Sequence, residues 1–190
     1  MHAFRLFAVL LIFSLVCVKA HANDTERAWQ QLAQGKAVAL IRHALAPGMS
    51  DPSHFLVTDC STQRLLSEEG REQAVRIGEL FRAQGIAEAN LLSSQWCRCL
   101  DTARLLDLGE VKEFDALNSF FENRSFADKQ TAEVLAKMPN WVVGADLPTV
   151  LVTHQVNISA LTSTPTASGE IVIIALENDT PKVLARIPTR

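Results

Sequence analysis

The chain has 190 residues, with 18 Lys and Arg against 21 Asp and Glu, for a formal charge of -3. That balance argues against a general nucleic-acid binder, which would carry a basic excess. The length suffices for one globular domain with a sizeable core, and no internal repeat or low-complexity tract divides it.

The first stretch reads "MHAFRLFAVLLIFSLVCVKAHA". Arg5 precedes an apolar run from Leu6 to Val18, and Ala20-His21-Ala22 forms an A-x-A cleavage signal. This predicts a secretory leader over residues 1–22, a single mature domain over residues 23–190, and a periplasmic or secreted protein. The run is too short for a stable membrane span. Cys17 follows Val16, where lipid attachment wants a small residue. No second long apolar run follows, so no stable membrane insertion is expected. Without Arg5 and Lys19, 16 basic residues face 21 acidic ones, a charge near -5. Any clustering of arginine is then a local choice.

"NDTERAWQQLAQG" predicts a short helix, with Asn23 or Asp24 as cap and Gly35 as terminator. "KAVALIR" is a continuous apolar run of strand length, expected to be buried on both faces. Ala44 to Leu66 shows no period and carries Pro47, Gly48 and Pro52. A loop this long in a compact domain tends to be functional. "LSEEGREQAVRIGELFRAQGI" predicts a helix capped by Ser67, striped by Ala74, Ile77, Leu80 and Phe81, and closed by Gly85. "ANLLSSQ" reads as a short strand that enters the helix "WCRCLDTARLLDLG", stopped at Gly109. "VKEF" is a further short strand. "SFADKQTAEVLAKMP" predicts a third long helix from Ser125 to a stop at Pro139. "TVLVTHQ" is an apolar strand ending in polar residues, and "GEIVIIALEND" with "PKVLARIP" makes two strands about an Asn178-Asp179 turn. Strands alternating with helices argue an α/β three-layer sandwich, a mostly parallel central sheet flanked by helices.

Polar residues gather at the strand ends. Arg42 and His43 close the first strand, Arg98 lies just past the second, and His154 closes a later one. Ligands of open α/β sheets bind in the crevice at that edge. Two arginines and two histidines there suit a phosphoryl group: guanidinium forks match phosphate oxygens, and a neutral imidazole can attack phosphorus. The attacking ring needs an acceptor, expected from the backbone, to fix its tautomer. Of the cysteines past the leader, Cys97 and Cys99 are too close in sequence to bridge each other comfortably. Cys60 is therefore expected to pair with Cys97 or Cys99, against the alternative of three buried thiols.

"LIRHA", "SSQWCRCLDTA" and "VTHQ", in that order, resemble the histidine phosphatase superfamily, the phosphoglycerate-mutase-like group. Its signature is Arg-His-Gly, then S-x-x-x-R-x-x-x-T-A at a strand–helix junction, then a late His after an apolar strand. "LSEEGREQA" also resembles the helix between the first two. The likeness runs from about Ala37 to Leu176. It implies a phosphoglycerate-mutase-like fold and a metal-independent phosphatase without cofactor. His43 would become phosphohistidine, and Arg42, His43, Arg98 and His154 would bind the phosphoryl group.

Two departures stand out. Ala44 replaces the usual glycine after Arg-His. Ser119, in "ALNSFFENR", stands where many members carry the carboxylate that protonates the leaving oxygen. Glu122, or else Asp115, is the substitute candidate. Some members manage without such an acid, on phosphate groups with good leaving groups. By the same resemblance the Cys99 position is usually small and buried, which points to Cys97 as the partner of Cys60.

The expected substrate is a phosphorylated small molecule or an envelope-linked phosphate, not nucleic acid. The oligomeric state is left open. His54, Arg64 and Arg71 are expected in solvent, and Trp96 in the core. Two other functions compete. One is a phosphate-binding protein of the same fold without turnover. The other is a thiol or metal protein built on Cys60, Cys97, Cys99 and His54, although zinc-type ligand spacing is absent.

Overall fold

The computed structural model describes residues 24–142 and 146–189. The expected leader and Asn23 lie outside the described residues. Helix α1 spans 24–33, and β1 (Val38–Arg42) follows. Then come α2 (Glu68–Ala83), β2 (Asn90–Ser93), α3 (Cys97–Leu106) and β3 (Val111–Glu113). The chain closes with α4 (Ala127–Val142), β4 (Thr149–Thr153), α5 (Gln155–Thr162), β5 (Ile171–Glu177) and β6 (Thr180–Ile187).

One sheet runs β3-β2-β4-β1-β5-β6. The four strands from β3 to β1 are mutually parallel, and β5 is antiparallel to β1 and to β6. In β1 the side chains alternate between two cores, as the strand period requires. Ala39 and Ile41 face a layer built from α1, α2 and α3, with Leu32, Ile77, Phe81 and Leu106. Val38 and Leu40 face Leu117, Val134, Met138 and Ile158, on the side of α4 and α5. This is the expected three-layer sandwich.

Local signals set most boundaries. Ser67 caps α2 by accepting from Gly70 N, and Glu68 and Glu69 stand at its positive end. Two glycines on α2 permit close approach. A Cβ on Gly78 would lie 2.0 Å from Leu106 O of α3, and one on Gly70 would lie 2.0 Å from Leu45 O. Asn178 and Asp179 both take positive φ, which supplies the tight turn between β5 and β6.

Three boundaries differ from the sequence expectation. Helix α4 does not stop at Pro139 but continues to Val142. A proline inside a helix costs about 3 kcal/mol. Met138 and Trp141 on either side are buried in the second core, and burying two such side chains contributes roughly 3–6 kcal/mol. Trp141 also meets Phe114 edge-on at 6.1 Å. Helix α3 ends earlier than Gly109, at Leu106, because Asp107 turns into the left-handed region. Helix α5 directly after His154 has too weak an amphipathic pattern to announce itself.

The loop from Ala44 to Leu66 has one 3-10 turn, Cys60–Thr62. It is anchored at several points. Cys60 is disulfide-bonded to Cys97 at the start of α3, and Cys99 is a buried free thiol. Gln63 donates to Leu56 O and Val57 O and accepts from Cys97 N.

Candidate active site

The parallel register builds the site. Arg42 pairs with Thr153, and Ser93 pairs with Val152. The residues that follow, His43, Ser94 and His154, therefore emerge side by side at the carboxyl edge. His43 N donates to Thr153 O and Ser94 N donates to Val152 O, extending the ladder by one step. The rings of His43 and His154 come within 5.5 Å, centroid to centroid.

His43 is buried, and its Nδ1 lies 2.8 Å from Ala44 O. A carbonyl only accepts, so Nδ1 carries the proton and Nε2 keeps its lone pair. Burial, and next the Arg98 guanidinium, hold the ring well below the usual histidine pKa. His43 is thus a neutral imidazole with an unprotonated nitrogen, and Ala44 O is the backbone acceptor that such a ring needs. The Ala44 side chain lies in a small apolar cluster with Ala46, Leu66 and Ala74, so the methyl in place of glycine is accommodated. Its N–H donates to Thr102 Oγ1, and Thr102 donates in turn to Arg98 O. The Thr of the second motif thereby links the first strand end to the helix bearing Arg98.

His154 is also buried and held neutral, by burial first and Arg98 next. Its Nε2 lies 2.9 Å from Ser94 Oγ, and Ser94 donates its hydroxyl proton to Asn118 Oδ1. That chain places the His154 proton on Nε2. Cys99 Sγ stands 3.4 Å from the same nitrogen. Burial pushes the thiol pKa up to about 12, so it stays protonated. Trp96 packs partly on the first core, as expected, but also stacks on Phe55 at 4.9 Å and meets His154 edge-on at 5.4 Å.

The arginines share one arrangement. Arg42 donates from Nη1 to Thr166 O, Arg64 from Nη1 to Ala46 O, and Arg98 from both Nη atoms to Asp51. In all three the Nε–H is buried without a protein acceptor. A buried donor without a partner is costly and rare. Three of them in one charged cluster form a donor set for an anion. After burial, the charges of Arg98, Arg64 and Arg42 each lower the pKa of both His43 and His154, in keeping with their closeness to the two rings.

Arg64 corrects the sequence reading, which put it in solvent. It is half-buried and belongs to this cluster. Asp51 was not anticipated at all. Both sit in the aperiodic loop, where no pattern states which way a side chain faces. His54 is exposed, and Arg71 is half-buried and pairs with Asp101 at 3.4 Å. Glu122 and Asp115 are exposed, while Ser119 is half-buried. Among the described residues, the hydrogen bonds and ion pairs tie neither Glu122 nor Asp115 to Arg42, His43, Arg98 or His154. Also among the described residues, no group of three His, Cys, Asp or Glu side chains is placed to hold a metal ion.

The family profile of the histidine phosphatase superfamily (branch 1) matches residues 38–146, a stretch that includes Arg42, His43 and Arg98. The chain belongs to this superfamily. No curated protein matches it in sequence. Solved structures share the fold. The protein histidine phosphatase SixA complexed with tungstate superposes with a TM-score of 0.58 at 15% identity, covering 80% of this chain and 97% of that one. A mycobacterial glucosyl-3-phosphoglycerate phosphatase complexed with VO3 has a TM-score of 0.53 at 20% identity, covering 78% and 97%. A phosphoserine phosphatase mutant from Entamoeba histolytica, complexed with phosphoserine, has a TM-score of 0.57 at 14% identity, covering 81% and 98%. This chain shares the architecture of these three phosphatases along nearly their whole length.

Proposed function

We propose that this chain is an exported, metal-independent phosphatase that hydrolyses a phosphate monoester or related phosphoryl compound through a phosphohistidine on His43. The observation that carries the reading is the set of three buried Nε–H donors around two neutral imidazoles at the sheet edge. In the first step the His43 Nε2 lone pair attacks phosphorus. The bond from phosphorus to the leaving atom breaks, and that atom departs with the electron pair. Arg42, Arg64 and Arg98 stabilise charge on the phosphoryl oxygens in the transition state. His154 is kept neutral by burial first and Arg98 next. The phosphoryl dianion favours the charged ring, so His154 can take up a proton from solvent on Nδ1 and donate a hydrogen bond from it to a phosphoryl oxygen, releasing the proton when phosphate leaves. In the second step water breaks the P–N bond, giving inorganic phosphate and restoring His43.

Export is supported by the leader-like sequence and by the Cys60–Cys97 bond, since disulfides persist in oxidising compartments. The substrate we propose is a phosphorylated small molecule or an envelope-linked phosphate. The test is release of p-nitrophenol and phosphate from p-nitrophenyl phosphate in EDTA, with mass detection of an acid-labile phosphoenzyme. Turnover and phosphoenzyme should both vanish in His43→Ala. No turnover on a broad panel of phosphorylated compounds, together with tight phosphate binding, would instead make the chain a phosphate-binding protein of this fold.

A further inference from the structure

Asp51 lies in the long loop, yet its carboxylate is among the most fully engaged groups near the site. Oδ1 accepts from Arg98 Nη1 at 2.8 Å and from Arg64 N at 2.9 Å. Oδ2 accepts from Arg98 Nη2 at 3.1 Å and from Trp96 Nε1 at 3.0 Å. The Arg98 side chain is 4% exposed and that of Asp51 is 13%. A fork–fork pair of this kind fixes the plane of the guanidinium as well as its place. With both terminal nitrogens turned to Asp51, the edge of Arg98 left over is Nε–H, which is buried without a protein acceptor.

We propose that Asp51 is a positioning residue that acts through Arg98: it holds the guanidinium so that its Nε–H edge is presented to the phosphoryl group. The inference rests on the phosphatase reading and adds to it a residue outside the motif set. The same carboxylate joins the other parts of the site. It receives the backbone N–H of Arg64, another of the three arginines, and the indole N–H of Trp96, whose ring touches His154. Burial would raise its pKa, but the Arg98 hydrogen bonds and charge, with the N–H groups of Arg64 and Trp96, hold it below the usual carboxylate value. Asp51 therefore stays ionised, and all its strong acceptor positions are taken. It serves as an orienting anion and not as a proton donor.

The test uses two variants of the full chain. Asp51→Glu keeps the charge and displaces the carboxylate by one methylene. Asp51→Asn keeps the shape and removes the charge. Each should lower kcat/KM at least tenfold. Asp51→Glu should also weaken tungstate binding, read by calorimetry, at least fivefold. Because Asp51 acts through Arg98, neither variant should lower kcat/KM further in an Arg98→Ala background, while a merely structural role would add its full loss there. Thermal melts identify any variant that fails to fold, and the other then carries the comparison. Wild-type kcat/KM and tungstate affinity in a folded variant would overturn the proposal, as would losses that persist undiminished without Arg98. If the wild type binds tungstate but turns over nothing, the hydrolytic reading fails while the calorimetric comparison still decides the role of Asp51. If it neither turns over phosphorylated compounds nor binds tungstate, both readings fall; if it turns over without binding tungstate, the kcat/KM comparison alone decides the role of Asp51.

Discussion

The Nδ1 nitrogen of His43 donates to the carbonyl of Ala44, the next residue in the chain, at 2.8 Å. This contact fixes the tautomer and leaves Nε2 free, while burial keeps the ring neutral. The consequence is a pH dependence with a definite sign. Unfolded, His43 and His154 titrate near 6.5. Folded, both values are lowered, by burial first and by Arg98 next. Below pH 6.5 the unfolded chain takes up protons that the native protein refuses, so stability falls with acid, by up to about 2.7 kcal/mol per pH unit while both rings differ. Asp51 adds to the loss at still lower pH, as the pH falls through its depressed folded value. We expect Tm to be level from pH 8 to 7 and to drop steadily below 6.5. The acid limb of kcat/KM should lie below 6.5 as well. His154→Asn should roughly halve the acid slope of stability. A Tm that is flat down to pH 5 would contradict the buried neutral pair.

The Cys60–Cys97 bond closes a segment with a sequence separation of 37 and fastens the loop bearing Asp51 and Arg64 next to Arg98. Chain entropy alone gives such a closure about 4 kcal/mol. Cys60→Ser, or thiol reduction, should therefore lower Tm by roughly 10 °C. Because the loop carries site residues, kcat/KM should fall along with stability, by about tenfold at a temperature where the variant remains folded. Unchanged kcat/KM in the folded variant would mean that the hydrogen bonds of Gln63 and Asp51 hold the loop unaided.

Gly70 and Gly78 lie two turns apart on one helix but touch different things. A methyl on Gly78 would collide with Leu106 O, at the helix–helix contact. A methyl on Gly70 would collide with Leu45 O, two residues past His43. Each alanine variant should lose about 2–3 kcal/mol from overpacking against backbone. Only Gly70→Ala should also depress kcat/KM, since relief of that clash moves the chain that follows the nucleophile. Denaturant melts beside kinetics separate the two effects.

Among the described residues, neither Glu122 nor Asp115, the two carboxylates expected to protonate the leaving group, is tied by a hydrogen bond or ion pair to Arg42, His43, Arg98 or His154, and on the proposed mechanism this favours good leaving groups. Asp51 is ionised and engaged by four donors, Ser119 has no acidic proton, and Glu122 is exposed. Glu122→Gln should change kcat by less than threefold on p-nitrophenyl phosphate. Along a series of phosphoryl compounds, the rate should fall steeply as the leaving group becomes more basic, with simple alkyl phosphates slowest. A rate insensitive to the leaving group, or a hundredfold loss in Glu122→Gln, would show that a proton is delivered.

Much of the architecture was legible beforehand because it is written in short-range terms. Apolar runs marked β1 and β4, a serine and paired glutamates marked the start of α2, and Asn178-Asp179 marked the last turn. Polar residues closing two apolar runs marked Arg42, His43 and His154 as a set once Arg98 stood at a third strand end, because one such pair could merely cap its strand whereas several at one sheet edge suit a ligand. The stop expected at Pro139 failed for a long-range reason: the burial of Met138 and Trp141 outweighs the local defect.

The sequence by itself determined which strands form and which side chains stand at their ends. Only the tertiary structure decided what joins them. The parallel register of β1, β4 and β2 brings His43, His154 and Ser94 together, and register is a property of paired strands. Arg64 and Asp51 lie in a loop without period, so nothing local says which way they face. Asp51 meets Arg98 across 47 residues, and the loop is carried there by Gln63 and by the bond from Cys60 to Cys97. The Nε–H edges are left over because Thr166, Ala46 and Asp51 accept from the terminal nitrogens of the three guanidinium groups, and no local pattern announces those contacts.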